Sequence, residues 1–151
     1  MRGIKPVLCA VVVVALCMQP SRVTADGDRE FMAKLVAQTF FRGLLEGSIL
    51  SVVPLCAKRV NLDGHWVQDH KELEKRLRTI GIHAREHGVK LRRVVILDYG
   101  TVTRRFGRPP ARLRGAAGPG KLIALVRFNT VGAVAVLGRV GAFWKVVALT
   151  D

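Results

Sequence analysis

Acidic residues are scarce in this chain. It carries 11 Asp and Glu against 25 Lys and Arg, a formal net charge of +14. Such a surplus favours anionic partners through long-range attraction and says nothing about fold. Cysteine is nearly absent too. Of three, Cys9 and Cys17 fall in the N-terminal apolar segment, which leaves Cys56 alone and excludes an internal disulfide in the remainder. Cys56 lies among Val52, Val53 and Leu55. There a thiol is expected to act as a small hydrophobe, because a catalytic thiolate needs a neighbouring base and exposure. Tyr99 is the single tyrosine. The apolar run Val7–Met18 falls short of the roughly 20 residues a bilayer-spanning helix needs.

What is present starts with that run. Arg2 and Lys5 precede it, and Val23-Thr24-Ala25 places small residues before Asp26. Charge, apolar core and cleavage site in that order define a secretory leader over residues 1–25, cleaved after Ala25, and a periplasmic or secreted protein. An uncleaved membrane anchor is one alternative, and lipidation at Cys17, in the lipobox-like Val14-Ala15-Leu16-Cys17, is another. Loss of Arg2, Lys5 and Arg22 would lower the charge to about +11, since no acidic residue precedes Asp26. Half the residues are hydrophobic, too many for a disordered chain, and 151 residues allow one domain, expected over 26–151.

Apolar periodicity then sets the elements. Phe31, Leu35, Phe40, Leu44 and Leu45 recur at helical spacing over Arg29–Glu46, and Gly47 stops that helix. Ser48 is placed to cap a short helix running to about Ala57, kinked or restarted at Pro54. Val60–Val67 reads as extended chain folded about Asp63-Gly64. Asp69-His70-Lys71-Glu72 is a capping box for a helix with Leu73, Leu77, Ile80 and Ala84 on its apolar face, ended by Gly88. Strands are expected over Leu91–Tyr99, Leu122–Phe128, Val131–Leu137 and Phe143–Thr150, with tight connections at Gly132 and Arg139–Ala142. Residues 100–120, rich in Arg, Pro and Gly, read as a solvated basic loop.

The fold class is therefore α+β, and the element order resembles the nuclear-transport-factor-2-like superfamily, which includes ketosteroid isomerase and SnoaL-type polyketide cyclases. The resemblance covers Arg29 to Asp151. It rests on Phe40-Phe41-x-x-Leu44-Leu45-x-Gly47-Ser48, on Val60-Asn61-Leu62-Asp63-Gly64-His65-Trp66, and on Phe143-Trp144-Lys145-Val146-Val147. It implies a cone-shaped, curved antiparallel sheet wrapped around three N-terminal helices, a pocket open at one end, and a homodimer formed through the sheet. It does not imply a reaction, because this fold hosts enzymes and binding modules alike. The catalytic tyrosine position of the isomerases falls on Phe40, which has no hydroxyl. Asp63 lies near the position of the base, and no carboxylate stands in Val131–Leu137 where a donor Asp is expected.

Each candidate residue has a structural reading beside its functional one. Asp63 is a pocket base or simply the first residue of a turn that tolerates the left-handed conformation. His65 and Trp66 point to opposite faces of a strand, so only one can look into a pocket. Asp98 and Tyr99 form an acid–base pair only if the sheet turns both inward. Arg127 interrupts an apolar strand, either facing solvent or paired with Asp98. His83-Ala84-Arg85-Glu86-His87 has the H-x-x-E-H spacing of some zinc proteases, yet no third ligand accompanies it, and a solvated helix face is expected with no metal. Arg104, Arg105, Arg108, Arg112 and Arg114, with Lys71, Lys75, Arg76 and Arg78 on the third helix, offer an anionic envelope surface a basic face. Nucleic acid is not expected, since only Phe106 interleaves the charges. The leading expectation is an exported, non-catalytic domain, without a cofactor, that binds a small apolar ligand or another protein through Asp63, His65, Trp66, Asp98, Tyr99 and Arg127. The alternatives are a small cyclase- or dehydratase-like enzyme with Asp63 or Asp98 as base, and an envelope-surface-binding protein.

Overall fold

The computed structural model describes residues 22–151, so the apolar segment Val7–Met18 and most of the expected leader lie outside the described residues. Helix α1 (Arg22–Glu46) buries Ala33, Ala37, Phe40, Phe41 and Leu44. Phe31 and Leu35, expected on that face, are 64% and 46% exposed. The small alanines take the buried side because they let the helix lie close to the sheet, and the stripe they set leaves the larger pair outside. Gly47 ends α1 with φ 80°, and its N–H donates to the Leu44 carbonyl at 3.3 Å.

Ser48 precedes α2 (Ile49–Val52) but its side chain makes no capping bond; its carbonyl accepts from Ser51 and Val52 instead. A 3₁₀ turn, Val53–Leu55, holds Pro54, so the short helix stops before Ala57. Strand β1 (Cys56–Leu62) starts where helix was expected to continue. It folds onto β2 (His65–Val67) through Asp63 and Gly64 at φ 52° and 89°, the two left-handed residues of a type I′ turn. Helix α3 (His70–Glu86) opens with the Asp69 carboxylate accepting from the Glu72 N–H at 2.8 Å, and buries Leu73, Leu77 and Gly81. A Cβ on Gly81 would stand 2.6 Å from the Leu44 carbonyl oxygen, so α1 and α3 can approach this closely only over a glycine.

The remainder is β3 (Leu91–Asp98), α4 (Tyr99–Phe106), β4 (Leu122–Phe128), β5 (Gly132–Val140) and β6 (Phe143–Thr150). The six strands lie in the order β2-β1-β6-β5-β4-β3. All pairs are antiparallel except β1 with β6, so the sheet is mixed rather than antiparallel throughout. The hairpin partner β2 occupies one edge of β1. Its other edge meets β6, whose direction the β3–β6 meander has already fixed. Register shifts in β1, β3 and between Val136 and Leu137 bend the sheet, which stays open with β2 and β3 as its edges.

Helices α1 and α3 pack on the inner face, against Val94, Ala124, Val126, Leu137 and Val146 among others. The outer face is apolar as well, with Ile123, Val136, Val147 and Ala148, and an apolar face must be covered. Residues 99–117 cover it. Helix α4 and a 3₁₀ turn at Ala111–Leu113 press Val102, Leu113 and Ala116 onto those residues. The segment expected to be a solvated loop over 100–120 is thus a partly helical strap. There are four helices among the described residues, one of them on the far side of the sheet from α1 and α3. None is long and apolar enough to cross a membrane.

Candidate functional site

A cavity of about 670 Å³ opens where α1, α3 and one end of the sheet come together. Phe41, Leu44 and Leu45 of α1 form one wall, and Thr79, Ile80, His83 and Ala84 of α3, with His87 at its C-cap, form another. The sheet contributes Phe128, Thr130, Val131 and Ala133 at the β4–β5 connection, with Leu62, Asp63, Leu149, Thr150 and Asp151 at the ends of β1 and β6. The surface is therefore mainly hydrocarbon, with hydroxyls, two imidazoles and two carboxylates around it and no Lys or Arg among its lining residues. That is the composition of a small-molecule site.

Asp63 is the one residue of the expected pocket set that lines this cavity, and its carboxylate is already engaged. Thr150 Oγ1 donates to Asp63 Oδ1 at 2.5 Å and Arg112 Nη1 donates to the same oxygen at 3.1 Å. Arg112 Nη2 donates to the Asp151 carbonyl at 3.2 Å, and the Asn61 amide donates to the Arg112 carbonyl at 3.1 Å. Asn61 also accepts from the Gly64 N–H at 2.7 Å, so one buried side chain orients both the turn and the strap. Both donors take Oδ1, which makes Asp63 the junction between turn, strap and last strand, while Oδ2 accepts no hydrogen bond among the described residues.

The other candidates lie elsewhere. His65 is exposed on β2 and does not reach the cavity. Trp66 faces outward, with the Arg59 guanidinium 4.5 Å from its ring centroid and Gly115 of the strap beside it. Asp98 caps α4, accepting from the Thr101 N–H at 2.9 Å and the Thr101 hydroxyl at 2.5 Å. The Thr101 hydroxyl first and its N–H second hold that carboxyl below the usual carboxylate range, the opposite of what a general base near neutrality needs. Tyr99 begins α4, where its carbonyl accepts from Thr103 Oγ1, and it does not line the cavity. Arg127 is exposed and stands opposite Arg93 across β3 and β4, whereas Asp98 stands opposite Leu122 at the other end of the pair. The Asp98–Arg127 ion pair therefore does not form.

Of the basic group, Arg112 is held in the Asp63 junction, while Arg104, Arg105, Arg108 and Arg114 are exposed on the strap. On α3, Arg76 and Arg78 pair with Glu72 and Glu74 one turn earlier. Burial pushes the Cys56 thiol up to about 12 against the opposing pull of Lys145, which leaves it without a reactive thiolate near neutrality.

His83 and His87, expected on a solvated face, are exposed yet also border the cavity. Their rings stack with centroids 6.0 Å apart and planes 8° apart, and His87 Nδ1 lies 2.9 Å from the His83 carbonyl, which makes Nδ1 the donor. No group of three metal-ligating side chains occurs among the described residues. The sequence did carry a signal for this wall, since Thr79, His83 and His87 recur every four residues on one face of α3. Thr130, Thr150 and Asp151 had no comparable signal. They meet the cavity only because strand ends distant in sequence converge there. No family model matches the chain, and no curated protein matches it.

Proposed function

We propose that this chain is an exported, non-catalytic binding module of the nuclear-transport-factor-2-like fold, and that its cavity holds a small, mainly apolar molecule. One observation carries the reading. The cavity of about 670 Å³ is walled by hydrocarbon, and the Asp63 carboxylate at its edge is engaged by Arg112 and Thr150. Such a site rewards burial of apolar surface, about 25 cal/mol per Å². The order of two helices, a two-residue hairpin, a third helix and a four-strand meander supports the fold assignment. The leader-like arrangement of Arg2, Lys5, Val7–Met18 and Val23–Ala25 supports export to the periplasm or beyond.

The test is a titration with an uncharged solvatochromic dye such as Nile red. Ala133 and Ala84 line the cavity from β5 and α3, so Ala133→Trp or Ala84→Phe should fill it. We expect saturable dye binding by the parent chain and its loss in both variants, with circular dichroism unchanged. Equal binding by parent and filled variants would sink the reading.

A further inference from the structure

Charge is sorted between the two sides of this molecule. Among the 11 acidic residues, all but Asp63, Asp98 and Asp151 lie on α1, on α3 or at the α3 cap. Of those three, Asp63 and Asp151 are engaged by Arg112, and Asp98 caps α4. The outer side of the sheet and its strap carry Arg93, Arg104, Arg105, Arg108, Arg114 and Arg127, all exposed. None of the six forms an ion pair among the described residues. Arg93 and Arg127 stand directly opposite each other, an arrangement that costs stability when no anion lies between like charges.

Two large aromatic side chains are exposed on the same side. Phe106, 64% exposed, sits between Arg105 and Arg108 at the end of α4. Trp66, 40% exposed, lies under the Arg59 guanidinium beside the strap. The strap connects these points. It leaves the edge strand β3 at Asp98, crosses the outer face, and reaches Gly64 and Trp66 of the β1–β2 hairpin through Arg112 and Gly115.

We infer that this outer face docks on an anionic phospholipid bilayer, with the arginines among the headgroups and Phe106 and Trp66 at the boundary with the acyl chains. Arginine recognises phosphate by paired donors, and several basic side chains near an anionic surface add their attractions. The exposed aromatics decide among anionic partners. A soluble polyanion satisfies the arginines but buries little of Phe106, whereas a bilayer interface offers charge and hydrocarbon together. A second copy of the chain would set like charges against one another. The surface is independent of the cavity reading, because no residue of the six lines the cavity.

The experiment is co-sedimentation of the full chain with phosphatidylcholine vesicles containing or lacking phosphatidylglycerol. We expect binding only where phosphatidylglycerol is present, weakened by added salt. Neutralising Arg93, Arg104, Arg105, Arg108 and Arg127 to Gln should weaken it about tenfold or more. Neutralising five exposed cations of the helix side (Lys34, Arg42, Lys71, Lys75 and Lys90) removes the same net charge and should leave most of the affinity. Phe106→Ser should weaken vesicle binding severalfold and leave adsorption to soluble polyphosphate unchanged. Equal loss in the two neutralised variants would reduce the effect to net charge and overturn the proposal. So would a chain that binds pure phosphatidylcholine equally well, or one indifferent to Phe106→Ser. Circular dichroism of each variant keeps a folding defect apart from these outcomes.

Discussion

Arg112 Nη1 lies 3.1 Å from Asp63 Oδ1, which fastens the strap on the outer face to the turn at the edge of the cavity. The two residues are 49 positions apart in sequence, one from an Arg-rich segment and one from an Asp-Gly turn. Together with Thr150 and Asp151 they hold the end of β6 against the β1–β2 hairpin.

Both partners of that pair are about half exposed, so solvent screens it. Arg112→Ala should lower stability by less than about 1 kcal/mol. Asp63→Asn, which keeps a residue tolerant of φ 52°, should cost a similar amount, whereas Asp63→Val should cost more because a β-branched residue is strained there. Urea denaturation of the single and double variants checks this. A coupling well above 1 kcal/mol would show that the pair is shielded from solvent.

Gly81 separates α1 from α3. Gly81→Ala would place a Cβ 2.6 Å from the Leu44 carbonyl oxygen, so the helices must move apart. We expect a loss of about 1–3 kcal/mol despite the better helix propensity of alanine. A thermal melt in which Gly81→Ala equals or exceeds the parent would contradict the close packing.

Cys56 gives a pH dependence with a definite sign. Its thiol is raised from an ordinary 9.0 to about 12, so the folded chain holds a proton that the unfolded chain releases first. The stability it contributes is complete below about pH 9 and is lost as pH rises from 9.0 toward 12. Cys56→Ala should flatten that part of the stability curve. In the folded parent at pH 8, a thiol reagent should label Cys56 only at the rate of global unfolding.

Asp98 runs the other way. Its carboxyl is held low by Thr101, so its contribution to α4 is present above the ordinary carboxylate range and is lost as pH falls through the depressed value. Asp98→Ala should speed amide exchange across Tyr99–Phe106, and Asp98→Asn should restore most of the protection. Neither change should alter binding in the cavity, since Asp98 does not reach it. A large effect on binding would return Asp98 to the site.

How much of this was legible in the sequence depended on whether the signal was local. Asp63-Gly64 encodes its turn by itself, and β4 and β6 have the expected bounds, Leu122–Phe128 and Phe143–Thr150. The apolar pattern of α1 does not report its orientation, because Phe31 and Leu35 dominate that pattern while Ala33 and Ala37 make the close contact. The strap leaves no periodic signal, because Val102, Leu113 and Ala116 are too sparse among arginines, prolines and glycines. Only the outer sheet face they cover explains them. The parallel pairing of β1 with β6 joins strands about 90 residues apart, and no local pattern reports it. Asp63 was legible as a site residue through its turn. Thr150 and Asp151 reach the cavity through that long-range pairing and Thr130 through the β4–β5 connection, and the exposed His83 and His87 border it because the sheet end comes to lie opposite them.

The most direct test of the central claim is a two-dimensional amide NMR titration of the folded chain with an uncharged long-chain alcohol. We expect saturable shifts at the cavity residues Ala84, His87, Thr130 and Ala133, with Trp66 and Arg127 on the outer side unmoved. Shifts confined to the outer side, or none at saturation of the alcohol, would contradict a ligand-binding cavity.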